Sequence, residues 1–596
     1  MQLVIDSSKQ TCQLPIDISP FDSSILPYLK SLPKQIICSV NASNFQSLTF
    51  IDEIDGRLKQ VSPSYNCYFR LINKNINDDN IVQYSPENIL DPVNGLKLDK
   101  IENYVQVKCD QDNYENVHFW FNLTSNNNNL HLNSTSWKPS VLILVIESLS
   151  RLNYLRYLNE TQSILENKYG NLYYLEGLNK MEDNSFVNMV PLLTGKRAYH
   201  KELPGDNNAG PYDEWPFIWN DFRRAGYLTA FVEDYSKFSL FNYEAKGFVN
   251  GKPTDIYPRP FWTHLFSEVN TNFLKWYPFN LDPCYKNRVP RVDIFFDQIH
   301  NFMEQSSKMK IPIFAYTFYI ELTHNDFNKV QTLDYHLSKF LKQSSTYLND
   351  TIFILMGDHG NRFGSALQTT IGRVEERMPL FGIHLPERLL RMYPHLGDKL
   401  RTNRRRLSTW LDIHRMLVDI ANNNFTVNKN ENLFESSSSY SPWRENISLG
   451  RTCKSALISE QHCACDRRIT LDHQTSVLAK DASIAFVSYL NERISHHKEC
   501  RRLHLDHILK AELKFPSETT AHAKGFQQQI EITVNISPSN GTFQGTLYRT
   551  ARQFEWKVYK GQVARFDEYG SQSSCVTERY LKKICLCRSF KKNNKI

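Results

Sequence analysis

Three stretches constrain the fold of this chain more than any others: VLILVIE (141–147), IPIFAYTFYIE (311–321) and TIFILMGDH (351–359). Each is a nearly unbroken apolar run of strand length that gives way to acid. A strand that is apolar at almost every position is buried on both faces, as in a parallel sheet covered by helices on either side. Between these runs the apolar residues recur with helical period. Helices are expected over about 151–167, from 186, over 214–225 up to Gly226, and over 291–305, 330–345 and 408–421. Further strands are expected at 171–176, 227–232 and 378–384. Strand–helix alternation of this kind predicts an α/β domain with a mostly parallel sheet covered by helices on both faces.

That domain is expected to span residues 138–427. The 596-residue chain is too long for one ordinary core. Residues 1–137 read as a β-rich, disulfide-containing region that ends in the polar NLTSNNNNLHLNSTS (122–136). A second polar stretch, NKNENLFESSSSYSP (428–442), opens a Cys-rich α+β region over 428–596. A net charge of +7 is modest for this size and predicts no nucleic-acid partner. The basic clusters Arg401, Arg404, Arg405, Arg406 and Lys582, Lys583, Lys591, Lys592 read as solvated faces. No segment approaches the roughly 20 apolar residues of a membrane span.

The twelve cysteines, an even number, favour a disulfide framework. Two C-x-C pairs, Cys463/Cys465 and Cys585/Cys587, lack the C-x2-C spacing of zinc sites. Cys463 and Cys465 are both expected to find partners within 443–596. Nine N-x-S/T sequons (Asn41, Asn122, Asn133, Asn159, Asn349, Asn424, Asn446, Asn535 and Asn540) point the same way. The expectation is an extracellular or secretory-lumen glycoprotein. MQLVIDSSKQ lacks the apolar stretch of a secretory signal, so a targeting segment is expected to be missing from this sequence. The alternative is a cytosolic protein with free thiols.

In an open α/β sheet, ligands collect beyond the C-terminal ends of the strands. Glu147 lies at one such end, Asp358 and His359 at another, and Glu321 and His324 at a third. Asp, Glu and His together are ligands for a hard or borderline divalent cation. Gly360 suits a sharp turn directly after the Asp-His pair. Ser185 opens the helical pattern in MEDNSFVNMVPLLTGKR (181–197), at or near a helix N-terminus that favours an anion. Its hydroxyl is either a nucleophile activated by a metal or merely the helix cap. Asn188, one turn later, is a candidate donor to a phosphoryl oxygen, the alternative being a polar helix residue.

The set ESLSR, NSFVNMVPLLTG, GDHGNRFG, EERMPLFGIHLP and the late RTC…CAC resembles an uncharacterised animal family of sulfatase-like proteins within the alkaline phosphatase superfamily. The resemblance covers most of the chain and implies an alkaline phosphatase-like fold. It implies that Glu147, Ser185, Asp358 and His359 share one metal ion (Zn, Mn or Mg), one ion being favoured over two, with His324 contacting substrate or acting as leaving-group acid. Sulfatases mature a Cys or Ser in C/S-x-P-x-R. Here Val187 and Met189 stand where that motif has Pro and Arg, so an unmodified Ser185 suits phosphoryl transfer better.

The expected function is therefore a metal-dependent phosphoesterase or phosphotransferase with a serine nucleophile. Its expected partner is a phosphoester-bearing substrate, such as a lipid head group or a glycan. A sulfatase-like ester hydrolase and a non-catalytic extracellular binding protein on the same fold are the alternatives.

Overall fold

The computed structural model describes residues 11–38, 47–111, 114–123, 137–206, 209–267, 282–286, 288–427, 438–465, 467–515, 527–550, 553–567 and 569–590. A six-stranded sheet forms its centre. The strands are β1 (Ser140–Ile146), β2 (Leu172–Tyr174), β3 (Leu228–Glu233), β4 (Ile313–Tyr319), β5 (Thr351–Gly357) and β6 (Phe381–His384). Their spatial order is β2-β6-β5-β1-β4-β3. The four strands from β5 to β3 are mutually parallel, whereas β6 and β2 form an antiparallel edge.

Every residue of β3 to β6 is buried, and so is β1 beyond Ser140. That is the burial the apolar runs demand, because helices cover both faces. One packed group comprises Ser185–Thr194, Ile218–Arg224 and Trp410–Ala421; another comprises Arg151–Tyr157, Asn159–Ile164, Arg291–Met309 and Asp334–Gln343. The helix expected from 214 starts only at Ile218, because Phe217, just after Pro216, is extended and serves as its N-cap. The one expected from 330 begins as a 3-10 turn, Phe327–Leu333. No helix among the described residues is long and apolar enough to cross a membrane.

Register sets up the site. Ile146 of β1 lies opposite Gly357 of β5 on one side and Tyr319 of β4 on the other. The next residues, Glu147 and Asp358, therefore emerge side by side, at the roughly 4.8 Å spacing of neighbouring strands.

The flanks attach differently. Residues 11–38 run along the central body: Arg156 Nε donates to the Pro20 carbonyl, and the Ile36 amide is 3.0 Å from His336 Nε2. An antiparallel sheet built on Cys67–Lys74, Glu102–Cys109 and Tyr114–Phe121 follows. At the other end, a five-stranded antiparallel meander from Arg467–Leu471 to Gln553–Arg565 packs on the helix Val477–Ile494 around a separate core.

All twelve cysteines are paired: Cys12–Cys465, Cys38–Cys284, Cys67–Cys109, Cys453–Cys463, Cys500–Cys585 and Cys575–Cys587. Each C-x-C pair splits its thiols between two bridges. Cys463 pairs within the expected region, but Cys465 does not. Its partner is Cys12, because the N-terminal segment lies across the body where residues 449–465 also pack.

Candidate active site

Glu147 follows β1 directly and is buried. The chain then turns through Ser148, whose φ of 59° is left-handed, an uncommon conformation for a non-glycine residue. That turn aims the Ser148 amide at Asp358 Oδ1, 2.9 Å away. Asp358 Oδ2 is left buried without a hydrogen-bond partner among the described residues. His359 Nδ1 lies 2.8 Å from the Gly360 carbonyl, so Nδ1 carries the proton and Nε2 the lone pair. Nε2 is 3.2 Å from Asp358 Oδ2 and 3.6 Å from Glu147 Oε1. Gly360 is needed here for close approach: a Cβ would sit 1.9 Å from the Glu375 carbonyl oxygen.

Ser185 completes the cluster. It is the first residue of its helix, and Asn184 is the cap, its side chain accepting from the Val187 amide at 3.3 Å. The serine hydroxyl is thereby released from capping. It donates to Glu147 at 3.0 Å and lies 3.3 Å from His359 Nε2.

The electrostatics call for a cation. Burial, and then Asp358, push the Glu147 carboxyl well above the usual carboxylate range. Burial pushes the His359 imidazole down to about 4, so the ring is neutral and its lone pair available. Ligand atoms of Glu147, Asp358 and His359 lie within 4.8 Å of one another. Two adjacent buried carboxylates, an orphaned Oδ2 and a neutral imidazole with its tautomer fixed by its own hydrogen bond match a divalent metal site.

The remaining expected residues divide. His324 faces the same electrostatic field, as Asp358, His359 and Arg362 all act on it. Burial, with Arg362, pushes it down to about 3, and its Nδ1 lies 2.6 Å from Asn325 Oδ1. A neutral ring suits a substrate contact better than proton donation. Asn188 is fully buried; its amide donates to the carbonyls of Glu182 and Asn184, and its oxygen accepts from the Met181 and Glu182 amides. It shapes the loop before Ser185, and both its amide protons are committed there. Glu321 pairs with Arg291, whose Nε is 3.0 Å from both carboxylate oxygens.

A family model described as a protein of unknown function, DUF229, matches residues 29–509. The chain belongs to the DUF229 family. No curated protein matches it in sequence. Among solved structures, this DUF229 chain resembles the zinc complex of the C-terminal periplasmic domain of EcEptC from Escherichia coli. The identity is 14%, the match covers 48% of this chain and 83% of that one, and the TM-score is 0.33. PsFucS1 sulfatase from Pseudoalteromonas sp. matches at 11% identity, over 56% and 75%, with a TM-score of 0.32. A Vibrio parahaemolyticus protein in the alkaline phosphatase superfamily matches at 12% identity, over 71% and 83%, with a TM-score of 0.31. These likenesses are too distant to carry an activity over.

Four residues around Asp183 and Ser185 were not read from the sequence as part of the site, Lys583 having been assigned to a solvated face. Lys180 is fully buried and paired with Glu376. Asp183 is held well below the carboxylate range: burial alone would raise it, but Lys583, Arg362 and Lys180 outweigh that. Arg362 Nη1 lies 3.5 Å from Asp183 Oδ1. Lys583 pairs with the other oxygen of Asp183 and is only 21% exposed. It therefore does not belong to a solvated face, and Lys582, 2.6 Å from Glu244, is also paired. Lys591 and Lys592 lie outside the described residues. Arg362 was legible within GDHGNRFG, three positions past His359; nothing local marked Lys583.

Proposed function

We propose that this DUF229 protein is a metal-dependent phosphoester hydrolase or phosphotransferase that uses Ser185 as nucleophile. The observation that carries the reading is the Ser185 hydroxyl, relieved of capping by Asn184, within 3.0 Å of Glu147 and 3.3 Å of His359. Glu147, Asp358 and His359 would hold the ion. A divalent cation there supplies positive charge that acidifies a hydroxyl and offsets charge on a phosphoryl oxygen.

Ser185 Oγ bonds to phosphorus as the bond to the leaving oxygen breaks, with attack in line. Glu147, already accepting the hydroxyl's hydrogen bond and ionised once a cation is bound, would be the nearest acceptor for its proton, and the leaving oxygen takes a proton from water. The helix N-terminus favours the negative charge that develops. His324, a neutral ring beside the cluster, contacts the substrate. The phosphoryl group then passes from Ser185 to water or an acceptor hydroxyl.

Six disulfides support an extracellular or lumenal setting. Of the sequon asparagines, Asn159, Asn349, Asn424, Asn446 and Asn540 are exposed, as glycosylation requires; Asn41 and Asn133 lie outside the described residues.

The test is a panel of aryl phosphate mono- and diesters and an aryl sulfate with Mn²⁺, Zn²⁺ or Mg²⁺. Ser185→Ala is expected to lower phosphoester turnover by about 10³ or more, ~4 kcal/mol of barrier. A variant within about threefold of wild type would remove Ser185 from the mechanism. Turnover of the sulfate alone, with formylglycine at 185 by mass spectrometry, would make it a sulfatase. Bound metal without turnover of any ester would leave a binding protein.

A further inference from the structure

We propose that the C-terminal region completes this active site: Lys583, together with Arg362, binds a non-bridging oxygen of the phosphoryl group presented to Ser185. The proposal deepens the phosphoesterase reading and rests on it for the identity of the substrate group.

Lys583 lies on the short helix Arg579–Ile584. Two disulfides, Cys575–Cys587 and Cys500–Cys585, bracket that helix and fix it to the C-terminal body. From there it reaches the central domain twice. Lys582 Nζ bonds Glu244 at 2.6 Å, and Lys583 pairs with Asp183. Asp183 immediately precedes the Asn184 cap and stands two residues before Ser185. The interface behind the helix is built as solidly as a core. Arg377 reaches Glu531 at 3.3 Å, and Arg373 lies 5.1 Å over the Phe566 ring. A lysine held this way keeps a fixed address beside the nucleophile.

The charge count calls for an anion. Lys583 and Arg362 share the single carboxylate of Asp183. The third cation, Lys180, is committed to Glu376. At Asp183 itself two cations meet one carboxylate, next to a helix N-terminus that is itself positive, and Arg362 also acts on Glu147. Arg362 Nε is buried with no hydrogen-bond partner among the described residues. Surplus positive charge around an under-used guanidinium is costly in the empty protein and favourable once an oxyanion arrives. A guanidinium fork and a lysine point charge together suit a phosphoryl group carrying more than one charged oxygen.

Calorimetric binding of inorganic phosphate to the full-length, metal-loaded protein tests this. Lys583→Ala is expected to weaken phosphate about tenfold or more, with metal content unchanged, and Lys583→Arg to recover most of the loss. Lys582→Ala, which breaks the neighbouring contact but not the one to Asp183, is expected to stay within about twofold. If the alanine variant does not fold, Lys583→Met keeps the aliphatic stem and serves instead. With phosphoesters, loss of Lys583 should raise KM more than it lowers kcat. Phosphate affinity within twofold of wild type after loss of Lys583, or none in the metal-loaded wild type, overturns the proposal. Lys583-dependent phosphate binding in a protein that turns over no phosphoester upholds it while the phosphoesterase reading falls.

Discussion

Two buried carboxylates stand at the ends of neighbouring parallel strands, and the chain treats them oppositely. Glu321, past β4, is met by Arg291, whose guanidinium also donates to the Cys284 carbonyl. Burial would depress the Arg291 pKa, but Glu321 outweighs it and the pKa is raised, so that pair is complete within the protein. Glu147, past β1, is met by another carboxylate and a neutral imidazole. Among the described residues no lysine or arginine lies within ion-pair distance of it, and Arg362 acts on it only from farther off. One strand end is closed by an arginine, and the other is not. Uncompensated buried charge is what separates a site from a strut.

The largest expected effect breaks the Glu147 side of that contrast. Asp358→Asn and Glu147→Gln should each reduce bound divalent metal to background in elemental analysis. With metal chelated, Glu147→Gln should melt no lower than wild type, because it removes a repulsion. Full metal content in either variant would misplace the site.

The opposite side is broken by Arg291→Ala. It strands Glu321 in the interior and should cost about 3–5 kcal/mol in denaturant unfolding, while the folded fraction keeps its metal. Loss of metal instead would mean that the two strand ends form one site.

A smaller effect separates nucleophile from cap. Asn184→Ala should cost about 0.5–2 kcal/mol of stability, and Ser185→Ala clearly less. Equal costs would return Ser185 to a share of the capping.

The last effect is a pH slope. Glu233, at the end of β3, is pushed up by burial to about 7 from an ordinary 4.5, with the Leu240 amide opposing. Between those values the folded state holds a proton that the unfolded state has lost, so this group's contribution to stability falls as pH rises. Glu233→Gln should flatten that part of the stability–pH curve; an unchanged slope would count against the assignment.

The sequence by itself determined the sheet and the meeting of Glu147, Asp358 and His359 at neighbouring strand ends. β1 and β5 are apolar runs, and where the pattern breaks, at Glu147 and at Asp358-His359, the polar side chains fall at the strand ends. Burial and strand geometry are local enough in sequence for that to be legible. Ser185 was placed to within one residue, which left its role open: whether it or Asn184 caps the helix turns on backbone angles at a single step. Tertiary structure alone decided the rest. Arg291 claims Glu321 from 30 residues away, Cys12 reaches Cys465 across 453, and Lys583 finds Asp183 across 400. Pairings over such distances leave no periodicity or spacing in the chain. They follow from which surfaces meet when separate cores pack, so Lys583 reads as solvated in the sequence and pairs with Asp183, two residues before Ser185, in the fold.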